Sequence, residues 1–137
     1  ISVLLHSITQ GHIYHIVTYG HPYHKILKDF YEKMPDLIDI FSETFQKVSK
    51  SFLKGIQNYK FDTDPKNILK YFKKFLKTLK NSGKVLNKYP QLLEIFADIY
   101  ELTTTTMYRL IRIKGTVDVS LNNGARKSNR RKYISIN

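Results

Sequence analysis

The stretch PYHKILKDFYEKMPDLIDIFSETFQKVSKSF, residues 22–52, decides the fold. Its apolar residues Tyr23, Ile26, Leu27, Phe30, Tyr31, Met34, Leu37, Ile38, Phe41, Phe45, Val48 and Phe52 recur at three- and four-residue steps. That spacing gathers them on one face of an α-helix. A helix with one long apolar stripe buries it only against other elements, so a packed helical core is expected. Pro35 lies inside the pattern, where it removes one amide donor and crowds the preceding turn, and the sequence predicts a kink there rather than an end.

Upstream, Ile1, Leu4, Leu5, Ile8, Ile13, Ile16 and Val17 form a second helical stripe over residues 1–19. Tyr19-Gly20-His21-Pro22 separates the two helices, with a glycine able to take positive φ and a proline suited to a first helical turn. Downstream, residues 55–65 carry the Gly, Asn, Asp and Pro of a crossing loop, and Thr63 or Asp64 is placed to cap the next helix. A third helix is expected over residues 65–81. Its core stripe is Ile68, Leu69, Phe72, Phe75, Leu76 and Leu79, and Lys66, Lys70, Lys73, Lys74, Lys77 and Lys80 fill the rest of its surface.

Asn81-Ser82-Gly83 is read as its stop, and Pro90 as the start of a fourth helix ending near Ile113, with Thr103 to Thr106 as a weak point. Four helices of about 19, 32, 17 and 24 residues joined by short connections predict an all-α, antiparallel four-helix bundle. The expected division is a bundle over residues 1–113 and a basic C-terminal tail over residues 114–137.

The 137-residue chain has a formal net charge of +12, and the charge is unevenly spread. Residues 60–88 hold nine lysines against Asp62 and Asp64, and residues 114–137 hold six basic residues against Asp118. Within the second region, ARKSNRRK (125–132) contributes Arg126, Lys127, Arg130, Arg131 and Lys132. Two cationic regions predict a polyanionic partner, either DNA or an acidic protein surface. The plainer alternative is a solvated lysine face and a solvated arm, in a composition rich in Lys, Asn, Ile and Tyr. Any DNA contact is expected to be to phosphate, independent of sequence and weakened by salt. The ten tyrosines and eight phenylalanines have helical spacing and are assigned to the core before any base stacking.

No cysteine is present, which excludes disulfides and thiolate metal sites. There is no apolar run long enough for a bilayer and no secretory leader pattern, so no membrane is expected and the location should be cytoplasmic. A chain opening on Ile1 is expected to have lost residues upstream. Neither a nucleophile elbow nor a phosphate-binding glycine loop occurs, so nucleophilic catalysis has no support.

The one concentration of metal-ligand types is His6, His12, His15, His21 and His24 near the start, with Asp39 and Glu43 farther along. His12 and His15 can share a helix face, as can Asp39 and Glu43, and imidazole with carboxylate suits iron, manganese or zinc. His24 and Asp39 are roughly 22 Å apart along one helix, so they cannot share an ion within a chain. A site using both needs a second subunit across a twofold axis. Glu94, Asp98 and Glu101 lack an accompanying histidine and are read as members of surface salt bridges.

The pattern His12-x-x-His15, His24, Tyr31, Asp39-x-x-x-Glu43 is similar to the ferroxidase region of Dps-type ferritin-like proteins. The chain also resembles a group of small ferritin-like proteins encoded largely by tailed phages, which share the ending Tyr89-Pro90 through Thr106-Met107-Tyr108-Arg109-Leu110. The resemblance implies a ferritin-like bundle, an oligomer, an iron site between subunits at His12, His15, His24, Asp39 and Glu43, and at most a ferroxidase-like activity. Where Dps-type sites carry an acid four residues after the second histidine, this chain has Lys28, and Ile16 replaces a tryptophan. Two functions are therefore expected: a Dps-like, DNA-binding oligomer with iron, or a phage virion structural or interaction protein on the same scaffold without metal activity.

Overall fold

The computed structural model describes the backbone of residues 1–124 and the side chains of residues 1–114. Among the described residues it is all-helical, with α1 (Ser2–Val17), α2 (His21–Ser49), α3 (Ile68–Val85) and α4 (Pro90–Gly124). Single 3-10 turns at Pro65–Asn67 and Leu86–Lys88 precede α3 and α4. No helix among the described residues is long and apolar enough to cross a membrane.

Helix α2 runs as one element through Pro35 and ends at Ser49, short of the expected residue 52, where Lys50 turns left-handed at φ 54°. Gly20, at φ 100°, makes the turn from α1, a backbone region that glycine enters without a Cβ penalty. The cap expected before α3 is Asp64, whose side chain accepts from the Lys66 amide at 2.9 Å. The expected stop at Asn81-Ser82-Gly83 does not act, and α3 continues to Val85. Gly83 instead permits close packing, since a Cβ there would lie 3.2 Å from Phe96 Cε1.

The threonine run does not interrupt α4. Thr103 and Thr106 are buried and donate to the Ile99 and Leu102 carbonyls, each at 2.8 Å. The same helix passes the expected end at Ile113 and reaches Gly124. One internal glycine, Gly115, costs about 1 kcal/mol, which is too little to stop a helix that is already nucleated.

Side-chain contacts fix the topology. His15 meets His24, and Gly11 faces Phe30 and Tyr31, so α1 and α2 are antiparallel. Asp29 pairs with Arg109 and Phe41 packs on Phe96, so α4 also runs against α2. Helix α3 returns against α4 after the short turn, which leaves α2 and α3 parallel. The chain between them, residues 50–64, must therefore travel back along the bundle. It does so beside α1: the Gln57 amide donates to Ser2 Oγ at 3.0 Å, His6 Nε2 bonds the Lys60 carbonyl at 2.9 Å, and Gln10 holds Asp62. Fifteen extended residues span up to about 50 Å, enough for the roughly 43 Å of α2. The crossing loop expected over residues 55–65 is longer, residues 50–64, and in place of the antiparallel order expected from short connections it leaves α2 and α3 parallel.

The core lies between all four helices. Phe30 and Phe72 are fully buried and meet edge to face at 5.1 Å between centroids, a favoured aromatic geometry. Around them pack Tyr14, Leu27, Met34, Ile38, Phe75, Leu79, Leu92, Ile99 and Leu110.

The buried Gln10 side chain acts as a clasp for the crossover, accepting from the Asp62 amide at 2.8 Å and donating to the Asp62 carbonyl at 2.7 Å. Truncation in Gln10→Ala removes both bonds, and the half-buried Asp62 amide and carbonyl lose about 0.5–1.5 kcal/mol for each bond. We expect a fall in stability of about 2 kcal/mol in a urea titration, and a loss below about 0.5 kcal/mol would show that the crossover is not held there. The Asp64 amide, helped by the Asn67 and Tyr14 side chains, holds the Asp62 carboxyl below its ordinary value against the opposing effect of burial. A depressed folded-state pKa stabilises above the unfolded value of 3.8 and is lost as pH falls through the folded value. The crossover anchor therefore weakens only in strong acid.

Candidate functional site

Helix α3 presents its lysines on one side. At about 100° per residue, Lys70, Lys73, Lys74, Lys77, Lys80 and Lys84 fall within an arc of about 120°, opposite Phe72, Phe75 and Leu79. All six are exposed, as is Lys66 at the helix start. The ion pairs among the described residues are Lys28–Glu32 and Arg109–Asp29, and neither uses an α3 lysine. The stripe is an uncompensated row of positive charge roughly 21 Å long. Its expected companions Arg126, Lys127, Arg130, Arg131 and Lys132 lie outside the described residues.

The histidines collect at the α1/α2 seam. His12 lies flat on Tyr31, with centroids 4.3 Å apart and planes at 21°. The His15 ring meets the His24 ring edge on at 4.6 Å and bonds the His24 carbonyl through Nδ1 at 2.9 Å. Those contacts hold the Nδ1 of His15 as a donor and leave its Nε2 as the available lone pair. Asp39 and Glu43 are exposed farther along α2 and do not join this group. Lys28 is bridged to Glu32 at 3.8 Å, and Asp29 is held by Arg109 at 3.0 Å, so the acids nearest the histidines each face a cation. Among the described residues no three His, Asp or Glu side chains are placed to hold one ion. Within one chain the expected ligands therefore do not fit a metal centre.

Glu94, Asp98 and Glu101 are exposed on α4 and take part in neither ion pair. The expected salt bridges give way to solvated carboxylates, since exposed pairs gain little over water.

Sequence reasoning missed a third feature. Between α1 and α3, under the crossover, lies a cleft of about 450 Å³ lined by His6, Gln10, Tyr14, Tyr59, Lys60, Asp62, Lys70, Tyr71, Lys74 and Phe75, among others. Nearby, Phe61 stacks on His6 with centroids 4.6 Å apart and planes at 3°. Tyr59 and Phe61, grouped with the core aromatics by the general reading of helical spacing, are exposed residues of the crossover. Tyr14 donates to Asp62 Oδ2 at 3.1 Å, whereas the buried Tyr71 hydroxyl has no partner among the described residues. Burial raises the pKa of both phenols, aided at Tyr14 by Asp62, so both remain protonated donors. No periodicity signals this cleft, because it depends on the path of an irregular segment.

By architecture the molecule is an all-helical bundle protein with one cationic helix and one long crossover. Residues 15–110 match the model of DUF5856, a family of unknown function, and the chain belongs to that family. No curated protein and no solved structure matches it.

Proposed function

We propose that the protein is a Dps-like, ferritin-fold oligomer that binds DNA as a polyanion through the lysine face of α3 and the basic residues of 125–132. The exposed, acid-free row of α3 lysines carries this reading. The topology supports it, because a single long crossover between parallel second and third helices accords with the ferritin-like class of bundles. The test is binding to a DNA duplex across a salt series. Affinity should fall linearly on logarithmic axes, with a slope of about −0.9 for each phosphate neutralised. Absence of binding at low salt, or affinity indifferent to salt, refutes the reading.

A second reading, a virion structural or interaction protein that uses the same basic surfaces against an acidic protein, is favoured by the cations beside Asp29 and Glu32. The two readings differ in iron. An iron site in the first would require a second subunit to bring its own acids, as Asp39 and Glu43, against His12, His15 and His24. Mass spectrometry of protein purified without chelator, with light scattering for particle mass, separates them. On the geometry of one chain we expect less than a tenth of an equivalent of iron. Near-stoichiometric iron in a dimer or larger particle, lost in Asp39→Asn with Glu43→Gln, would establish the shared site.

A further inference from the structure

The cleft under the crossover opens beside the lysine stripe. On the α3 helical wheel Lys70 and Lys74 form the edge of the stripe, and both also line the cleft, so one pair of ammonium groups serves both features. Lys60 adds a third from the crossover. The one acid in the lining, Asp62, is already engaged: Oδ2 accepts from Tyr14 and Oδ1 from the Asp64 amide at 2.9 Å. Behind the lysines the walls are rings, from His6, Tyr59, Tyr71 and Phe75. The Tyr71 hydroxyl is buried and has no acceptor among the described residues, so what Tyr71 offers the cleft is its ring. The cleft's volume of about 450 Å³ is in the range of small-ligand sites.

A ligand suited to these walls has a flat aromatic body and an anionic group attached to one edge. We infer that the cleft accepts the base of an unpaired nucleotide while Lys70 and Lys74 hold its phosphate, so that the preferred polyanion is single-stranded nucleic acid. This rests on the polyanion reading and sharpens it. Aromatic walls accept any base by its π-face, and a cationic groove beside them tracks the backbone. A duplex keeps its bases stacked and must lose pairing to enter. A purely electrostatic lysine row ranks the ligands the other way, because duplex DNA releases more counterions per phosphate than a single strand.

The experiment compares three ligands by fluorescence anisotropy at one salt concentration: dT20, a 20-mer of abasic deoxyribose phosphates, and a 20-base-pair duplex. The expected result is dT20 bound about tenfold more tightly than the abasic strand and more tightly than the duplex. The variant Tyr59→Ala, which takes one ring out of the wall, should weaken dT20 by about threefold or more without changing the other two affinities. Tyr59 is exposed on the crossover, so the fold is retained, as circular dichroism will show. Equal affinity for dT20 and the abasic strand, with the duplex bound best, overturns the cleft inference and leaves the polyanion reading intact. Failure of all three ligands to bind overturns that reading, and the cleft inference with it. If thymidine monophosphate displaces dT20 at equal nucleotide concentration, the cleft serves free nucleotides and the strand inference is overturned.

Discussion

Replacing Lys70, Lys73, Lys74, Lys77 and Lys80 together by glutamine is expected to abolish measurable DNA binding at 0.1 M salt. If each lysine meets one phosphate, the magnitude of the salt slope falls by about 4 to 5, which at that salt is on the order of four decades in affinity. Duplex titrations over a salt series measure both quantities. A control with Lys25, Lys33 and Lys47 of α2 changed to glutamine, all exposed, should leave the slope within about one unit, because the α2 face engages no phosphate in this reading. An equal loss in the control would mean that net charge, and not the α3 face, is responsible. The quintuple variant should also be more stable than the parent. Its lysines sit three and four apart on one helix, and each like-charge pair of that kind costs about 0.2–0.5 kcal/mol. Lost binding with a gain of about 1 kcal/mol in stability identifies a surface whose repulsion a bound polyanion relieves. Lost binding with lost stability would identify a folding defect.

Phe30→Ala is expected to cost about 3–5 kcal/mol, a large share of the stability of a domain this size. The ring is fully buried and joins three helices: it belongs to α2, meets Phe72 of α3 edge on, and lies against α1 where Gly11 has no side chain. A Cβ on Gly11 would stand 2.9 Å from Phe30 Cδ1, so the α1 backbone rests directly on the ring. Removing the ring leaves a cavity that α1 cannot fill without moving. Urea unfolding followed by circular dichroism measures the loss. A cost below about 1 kcal/mol would show that the three helices do not depend on this junction.

The helices were legible because their stripes are long. The α2 pattern survives Pro35, and the lysine face of α3 follows directly from its spacing. The errors came where tertiary contact overrides a local signal. Gly83 resembles a stop in sequence, but its lack of a Cβ serves Phe96 of another helix. The threonine run is a poor helix former by propensity, yet α4 continues through it with Thr103 and Thr106 buried. The path of residues 50–64 was not legible. Composition marks an irregular segment, whereas its direction depends on Ser2, His6 and Gln10, more than fifty residues away. The candidate metal residues show the same division: the helical spacing correctly puts His12 beside His15, but it carries no information on what faces them from a second chain.

The crossover also sets how the chain must fold. In an up-down bundle each helix meets its sequence neighbour, and most contacts close small loops. Here α2 and α3 are consecutive yet parallel, and α2 takes its antiparallel partners from α1 and α4. The Asp29–Arg109 pair closes a loop of 80 residues, and the His6–Lys60 bond one of 54. Closing such loops costs chain entropy before the contacts stabilise anything, and folding rate falls as mean sequence separation rises. The α1–α2 hairpin, joined only by the turn at Gly20, can form early, while α3 must wait for the return strand to be laid down. This bundle should therefore fold more slowly than its helix content suggests, with the docking of residues 50–64 as the late step.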